Sequence, residues 1–240
     1  MKNLINFKAL SVALGFVVVG IIGLLLTVFL YRSSILENVF CSIIGSGLTL
    51  FFTNVYVDVT KKYEVWDDWK LEKIFKSRAD KNHDSDPKLE NSNISQLDII
   101  AFGLSSFRSF HTNDVLNRLN HGMNVRILVM HPKGKYISQR EVEEGDTRGN
   151  ISKSILDLVE WAKNLNVHSS KGKIALKYYC CMTLDFYWRL DDELYIGPYM
   201  NGKKSQQTIT YKFIKGGKGF NIYTDYFEER WCDLSNEIVL

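Results

Sequence analysis

Apolar positions are concentrated at the start of the chain. Residues 9–31 contain no charged side chain, and as a helix they reach roughly 34 Å, enough to cross a hydrocarbon core of about 30 Å. A second uncharged stretch, 38–57, carries Val39, Phe40, Ile43, Ile44, Leu48, Leu50, Phe51, Phe52 and Val57. Only residues 32–37 separate the two runs, so the pattern predicts a helical transmembrane hairpin with spans at about 9–31 and 36–57. A cleaved signal peptide fits the first run poorly, because its apolar core is usually about 7–15 residues and Phe29-Leu30-Tyr31 is no small-residue cleavage site. A buried core helix is the alternative for the second run, and the pairing argues against it. Small residues recur within the spans, at Gly15, Gly20 and Gly23 in the first and at Ser42, Gly45, Ser46 and Gly47 in the second. Such residues let helix backbones approach closely in lipid, so they are candidates for packing within the hairpin or between copies of it.

Beyond the second span, residues 61–76 read KKYEVWDDWKLEKIFK, rich in helix formers and free of Gly and Pro, which predicts a juxtamembrane continuation of the helix. Residues 77–96 hold no aromatic residue and are rich in Asp, Asn, Ser and Lys, the pattern of an exposed linker. The globular part is expected over 94–240. An apolar run at 97–103 ending in Gly103, a helix over 113–121 with Val115, Leu116 and Leu119 as its stripe, and a strand over 125–130 form a βαβ unit with parallel strands. A polar loop over 133–150 then leads to a helix over 151–165, candidate strands at 174–179, 186–190, 194–199 and 208–213, and a last helix over 223–232. The fold class is therefore an N-terminal α-helical transmembrane hairpin (1–60), a juxtamembrane helix and polar linker (61–93), and an α/β cytoplasmic domain with a mixed sheet (94–240).

Charge settles the expected orientation. Lys2 and Lys8 precede the first span and Lys61 and Lys62 follow the second, whereas the turn offers only Arg32, so both termini are expected in the cytoplasm. A net charge of +3 over 240 residues is too small to imply nucleic-acid binding by itself. The four cysteines, with Cys180 and Cys181 adjacent, form no spaced disulfide framework, and the five histidines are scattered without metal-ligand spacing. No metal or cofactor is expected. Gly216-Gly217-Lys218-Gly219 lacks phosphate-loop spacing, and no Gly-x-Ser-x-Gly marks a serine hydrolase.

The stretch IIAFGLSSFRSFHTNDVLNRLNHGMNVRILVMHP, residues 99–132, resembles the opening half of a phospholipase D-like domain, and LYIGPYM at 194–200 resembles that family's strand ending beside its catalytic centre. The resemblance implies a phospholipase D-like α/β fold without the activity. The family's signature is His-x-Lys, an Asp five residues after the Lys and a Gly seven beyond; counting back from Gly197 places Thr183, Asp185 and Leu190 at those positions. No His follows His168, so the nucleophile is absent and the chain is not expected to be an enzyme. Arg189, Asp191, Lys203, Lys204, Ser205 and Gln206 fall where the family's pocket would be and are the candidate ligand- or partner-binding residues; the alternative is a structural Arg189–Asp191 ion pair and a solvated turn.

A transmembrane hairpin joined to a catalytically empty domain of this kind is similar to the two-transmembrane effectors of bacterial antiphage systems, including those accompanying retron reverse transcriptases. That resemblance implies an inner-membrane effector that damages the membrane when released or activated. Its implied partners are the lipid bilayer, a reverse transcriptase with its RNA–DNA product, and further copies of itself on activation. The rival expectations are a membrane-anchored sensor or scaffold for a nucleotide or nucleic acid, and a membrane-tethered phosphodiesterase or nuclease with an altered nucleophile.

Overall fold

The computed structural model describes residues 7–31, 33–91, 93–181, 185–233 and 237–238, and the chain divides into two units between Asp68 and Trp69. In the first unit α1 (Phe7–Leu26) runs on as a π-helical stretch over Thr27–Tyr31, and α2 (Ser34–Lys62) packs against it. Ala13, Gly20 and Thr27, each seven residues apart, form a buried seam of small side chains with Gly23. A Cβ added at Gly20 would lie 2.5 Å from Ile44 Cγ1, and one at Gly23 would overlap the Phe40 ring. Gly47 fills the same role on α2, where a Cβ would sit 3.1 Å from the Ala13 carbonyl oxygen. Four other predicted packing residues do not join the seam. Gly15 and Gly45 have nothing within 4 Å of an added Cβ, and the exposed Ser42 and Ser46 hydroxyls donate to the Asn38 and Ser42 carbonyls of their own helix. The reason is helical period: two helices in contact bury one stripe each, and these four residues lie on others. Many of the other apolar side chains, among them Val19, Ile22, Leu25, Ile35, Val39 and Phe52, are exposed. Two stretches, Ser11–Phe29 and Ser34–Val57, are long and apolar enough to cross a membrane.

The second unit is α/β. Its sheet holds eight described strands: β1 (Leu71–Phe75), β2 (Gln96–Ala101), β3 (Asn124–Met130), β4 (Ile174–Tyr179), β5 (Asp185–Leu190), β6 (Glu193–Pro198), β7 (Thr210–Ile214) and β8 (Glu237–Ile238). They lie in the order β1-β7-β6-β5-β2-β3-β4-β8. The neighbours β2, β3 and β4 are parallel, as expected for strands joined by helical crossovers, and every other pairing is antiparallel. The crossover helices are α4 (Ser105–Asn120) and α6 (Asn150–His168), the latter burying Ile151, Ile155, Leu158, Ala162 and Leu165 at helical spacing.

Alternation sorts the strands into two faces. One carries Ile99, Phe186, Trp188, Tyr195 and Lys212, by their cross-strand pairing and their contacts with α3 (Arg78–Asn91). The other carries Asp98, Arg126, Tyr187, Arg189 and Phe213, covered by α7 (Lys218–Asp233) through the Tyr187–Phe227 stack at 5.0 Å and the Arg126–Glu228 pair at 2.6 Å.

Two segments depart from expectation. The run after Lys62 does not stay a regular helix: a π-helical stretch over Tyr63–Asp68 is followed by Lys70 at φ 47° and then by strand β1, paired to β7. Local helix propensity yields there to an edge-strand pairing. Residues 77–96 are not a linker either. Most of them form α3, and its buried residues Arg78, Lys81, Ser85 and Leu89 recur at helical spacing. Three of the four are polar, which is why a hydrophobic pattern could not reveal the helix. The α/β unit accordingly starts at Trp69 rather than near residue 94. A short helix, α5 (Ile137–Glu144), also occupies the expected polar loop. The cysteines are free, as expected.

Candidate functional site

A cavity of about 890 Å³ opens at the carboxyl end of β2, between α3, the start of α4, the start of α6 and the 3₁₀ turn Ser205–Gln207. The carboxyl ends of parallel strands are where α/β folds usually hold ligands, because loops and helix N-termini converge there. Ala101, Phe102 and Gly103 end the strand, and Gly103 is required by close approach: a Cβ would collide with Ser154 of α6. Leu104 then takes a left-handed conformation (φ 53°) and starts α4 without any side-chain cap. The first-turn N–H groups of a helix are unpaired within it and carry partial positive charge, so this start is a site for negative charge. The neighbouring start of α6, in contrast, is capped, with the Ile151 N–H donating to Glu141 Oε1 at 3.0 Å.

Two cations form the floor. Arg78 and Lys81, from the first turns of α3, are 5% and 2% exposed, and neither forms an ion pair among the described residues. Arg78 lies over the Phe186 ring at 4.0 Å and the Tyr199 ring at 5.0 Å, donates to Thr208 Oγ1 at 3.3 Å, and leaves its Nε without a partner. Burial holds its guanidinium below the ordinary value, opposed by the Tyr199 hydroxyl and the Glu144 charge. Lys81 Nζ sits 4.1 Å from the Trp188 ring centre and 5.3 Å from that of Tyr195, with Asn82 Oδ1 at 3.5 Å. Burial lowers its pKa from 10.5 to about 7, with Asp86 and Asp84 pulling upward and Arg78 pushing down. The third buried cation nearby, Arg140, is paired: it binds Glu143 and Glu144 and donates to the Met200 carbonyl. Isolated buried cations are costly and are normally matched by carboxylates. Arg78 and Lys81 feel the charges of Glu144 and of Asp86 and Asp84 respectively but form no direct ion pair among the described residues, which leaves both able to receive a further negative charge.

Four carboxylates, Asp86, Glu90, Glu144 and Asp146, also line the cavity, and three of them have other partners. Asp86 accepts from Ser85 Oγ at 2.9 Å and faces His111 Nε2 at 3.2 Å, while Glu144 is held by Arg140 and Ser205. Glu90, His111 and Asp114 bring ligand-type atoms within 4.8 Å of one another, yet His111 Nδ1 already meets Asp114 at 3.2 Å.

Of the predicted binding residues, Lys204, Ser205 and Gln206 line this cavity. Lys203 is exposed and outside the lining, its carbonyl accepting from Arg140. Arg189 points to the opposite face of the sheet, where it and Arg126 hold the fully buried Asp98 at 2.8 and 2.7 Å. Asp191 sits in the β5–β6 turn at the other end of β2, binding the Ser95 and Gln96 N–H groups at 3.1 and 2.8 Å. The two form no pair with each other; strand alternation and strand direction separate them from the cavity. Thr183, at the aligned position of the family's nucleophile, lies outside the described residues. Residues that sequence reasoning missed are Arg78 and Lys81, for which the one available signal was Ser77 three positions before Asp80, a helix-start spacing that the structure uses when the Asp80 N–H donates to Ser77 Oγ.

Fold and cavity together define a mixed-sheet α/β domain with an aromatic-lined cleft that holds two buried basic side chains, Arg78 and Lys81, preceded in the chain by an apolar helical hairpin. No family model matches the chain, and no curated protein matches it. Among solved structures it is similar to TrmBL2, an archaeal chromatin protein whose structure shows a novel mode of DNA binding, at 12% identity over 82% of this chain and 70% of that one, with a TM-score of 0.43. A likeness of that size bears on neither fold nor ligand.

Proposed function

We propose that this chain is a two-span membrane protein whose α/β domain, phospholipase D-like without that family's catalytic groups, is a receptor for an anionic ligand rather than an enzyme. The observation that carries this is the pair Arg78 and Lys81, buried in an open cavity with no direct ion pair among the described residues. The uncapped start of α4 on the same cavity adds to it. Membrane anchoring is supported by the continuous apolar exterior of the hairpin, far larger than soluble monomers tolerate, and the basic residues around the spans favour cytoplasmic termini. The test is calorimetry on the full chain in lipid nanodiscs with inorganic pyrophosphate: saturable binding that disappears in Lys81→Met, with the fold retained, is expected, and absence of binding to the wild type refutes it.

The hairpin favours one refinement, drawn from the resemblance to antiphage effectors: ligand or partner state in the domain controls damage by the hairpin to a bacterial inner membrane, the partner being a reverse transcriptase with its RNA–DNA product. Membrane potential in cells expressing the full chain, beside a version beginning at Trp69, tests it. Depolarisation with the full chain alone is expected; intact potential with both, during phage infection as well, leaves the anchored receptor without an effector role.

A further inference from the structure

Resting on the anionic-ligand proposal, the geometry points to a nucleoside 5′-phosphate as the occupant of the cavity, entering end-on with its phosphate on Arg78 and Lys81 and its base against Phe110 at the mouth. Both cations lie at the floor and are almost fully covered. A phosphate inside a polymer, with chain on either side, needs its flanking chain accommodated beside it, whereas cations only 5% and 2% exposed are reached by a terminal phosphate. The exposed, uncapped first turn of α4, at Ser105 and Ser106, lines the same cavity and offers its N–H groups to a doubly charged monoester.

The mouth carries the second half of the recognition. Phe110 is 79% exposed, lines the cavity and has no ring partner among the described residues. It sits immediately before the break in α4 at His111 (φ −118°, ψ 15°), which sets its direction apart from the regular helix face. An exposed aromatic ring above a cationic floor is the arrangement that binds base and phosphate at once, because each base has a π-face to stack. Asn82, Gln206 and Gln207 place amide groups on the same wall, able to meet donor and acceptor edges of a base.

The experiment is calorimetric titration of the full chain in nanodiscs with ribose 5-phosphate, AMP, cyclic AMP, and a short oligonucleotide with and without a 5′-phosphate. AMP is expected to bind about tenfold tighter than ribose 5-phosphate through stacking, and cyclic AMP, whose phosphate is an internal diester, at least tenfold more weakly than AMP. Phe110→Ala, on the surface and harmless to folding, is expected to erase the preference for AMP while leaving ribose 5-phosphate binding intact. Oligonucleotide binding that requires the 5′-phosphate identifies a strand end as a source of the same group; AMP binding alone identifies the free nucleotide. Equal affinity for AMP and ribose 5-phosphate overturns base recognition while the anion site stands, equal affinity for AMP and cyclic AMP overturns end-on entry, and failure of every phosphate-bearing probe overturns the anion site itself.

Discussion

Replacing Lys81 by Met is expected to make the protein more stable and to abolish ligand binding. The ammonium is 2% exposed and its pKa falls from 10.5 to about 7, chiefly through burial. Because the unfolded chain holds the proton up to about pH 10.5, folding releases or strains it throughout the range between the two values. A tenfold change in proton affinity is worth about 1.4 kcal/mol, so the charged side chain weakens the fold by about 5 kcal/mol at pH 6 and by only about 1–2 kcal/mol at pH 9.5. The sign follows from linkage: the unfolded state binds more protons between these pH values, so stability rises with pH there. Groups facing Lys81 from each side are Arg78 and Asp84 on α3, Asp86 beside His111, and the rings of Trp188 and Tyr195 on the sheet. They are unchanged in Lys81→Met, so differences between the two proteins isolate the lysine. Melting of the full chain in detergent, followed by tryptophan fluorescence, should place the variant above wild type at pH 6. The gap should shrink by about 3 kcal/mol, or about 6–12 °C, by pH 9.5. A gap independent of pH would show that Lys81 is not a desolvated cation. Wild-type calorimetry in buffers of different ionisation enthalpy should also show proton uptake on phosphate binding near pH 7.5, absent in the variant.

In the hairpin, Gly23→Leu should drive the side chain into Phe40 and weaken helix pairing by about 1–3 kcal/mol, whereas Gly15→Leu should leave it intact; spin-label distances between the two helices distinguish them. Asp98→Ala strands Arg189 on the α7 face and leaves Arg126 with Glu228 alone, and should cost about 3–5 kcal/mol of stability, read as a lowered denaturation midpoint, without altering ligand affinity. Tyr195→Phe removes the hydroxyl that donates to Asp84 at 2.7 Å and Glu193 at 2.8 Å, a loss of about 1–3 kcal/mol at neutral pH. Burial pushes both carboxyls up, but Tyr195, Lys88 and Lys212 hold them below the usual range, so this stabilisation is lost as pH falls. The gap between wild type and variant melting curves should therefore begin to narrow below about pH 4 and go on narrowing as pH falls further through the depressed folded values.

What the sequence made legible was what apolar periodicity reports. The two uncharged runs became α1 and α2, and the strand–helix–strand pattern became β2, α4 and β3 in parallel. Lys204, Ser205 and Gln206 line the cavity because they follow the β6 strand whose end borders it. Arg189 was misplaced by the period of two: its neighbour Trp188 faces the cavity, so Arg189 faces away. Asp191 was misplaced by strand direction, since the β5–β6 turn lies at the amino end of β2. The helix that supplies the cationic floor was invisible for a stronger reason. Arg78, Lys81 and Ser85 are buried polar residues on a helix that carries Pro87 inside it, so both patterning and propensity pointed to a loop.

That failure of patterning is itself informative about function. A helix that buries a guanidinium and an ammonium against aromatic rings is less stable than one carrying Leu and Met at the same positions, and isolated charges of this kind are routinely improved by apolar replacement. The domain offers the means to neutralise them, since Arg140, which lies over the same Tyr199 ring as Arg78, is matched by Glu143 and Glu144. Arg78 and Lys81 form no such ion pair among the described residues, and their cavity is open to solvent. An anion bound there removes the electrostatic cost of both cations, so occupancy raises the stability of α3 against the sheet by mass action as well as by charge. The occupied and empty domains must then differ most in how firmly α3 and its neighbour β1 are held. Both elements lie in the first part of the α/β unit, directly after the segment that leaves the hairpin. Hydrogen exchange on the full chain should therefore show protection gained on ligand addition chiefly in residues 71–91. Protection confined to the 205–207 turn, with α3 unchanged, would mean that the ligand is held at the rim and that the buried cations serve only the fold.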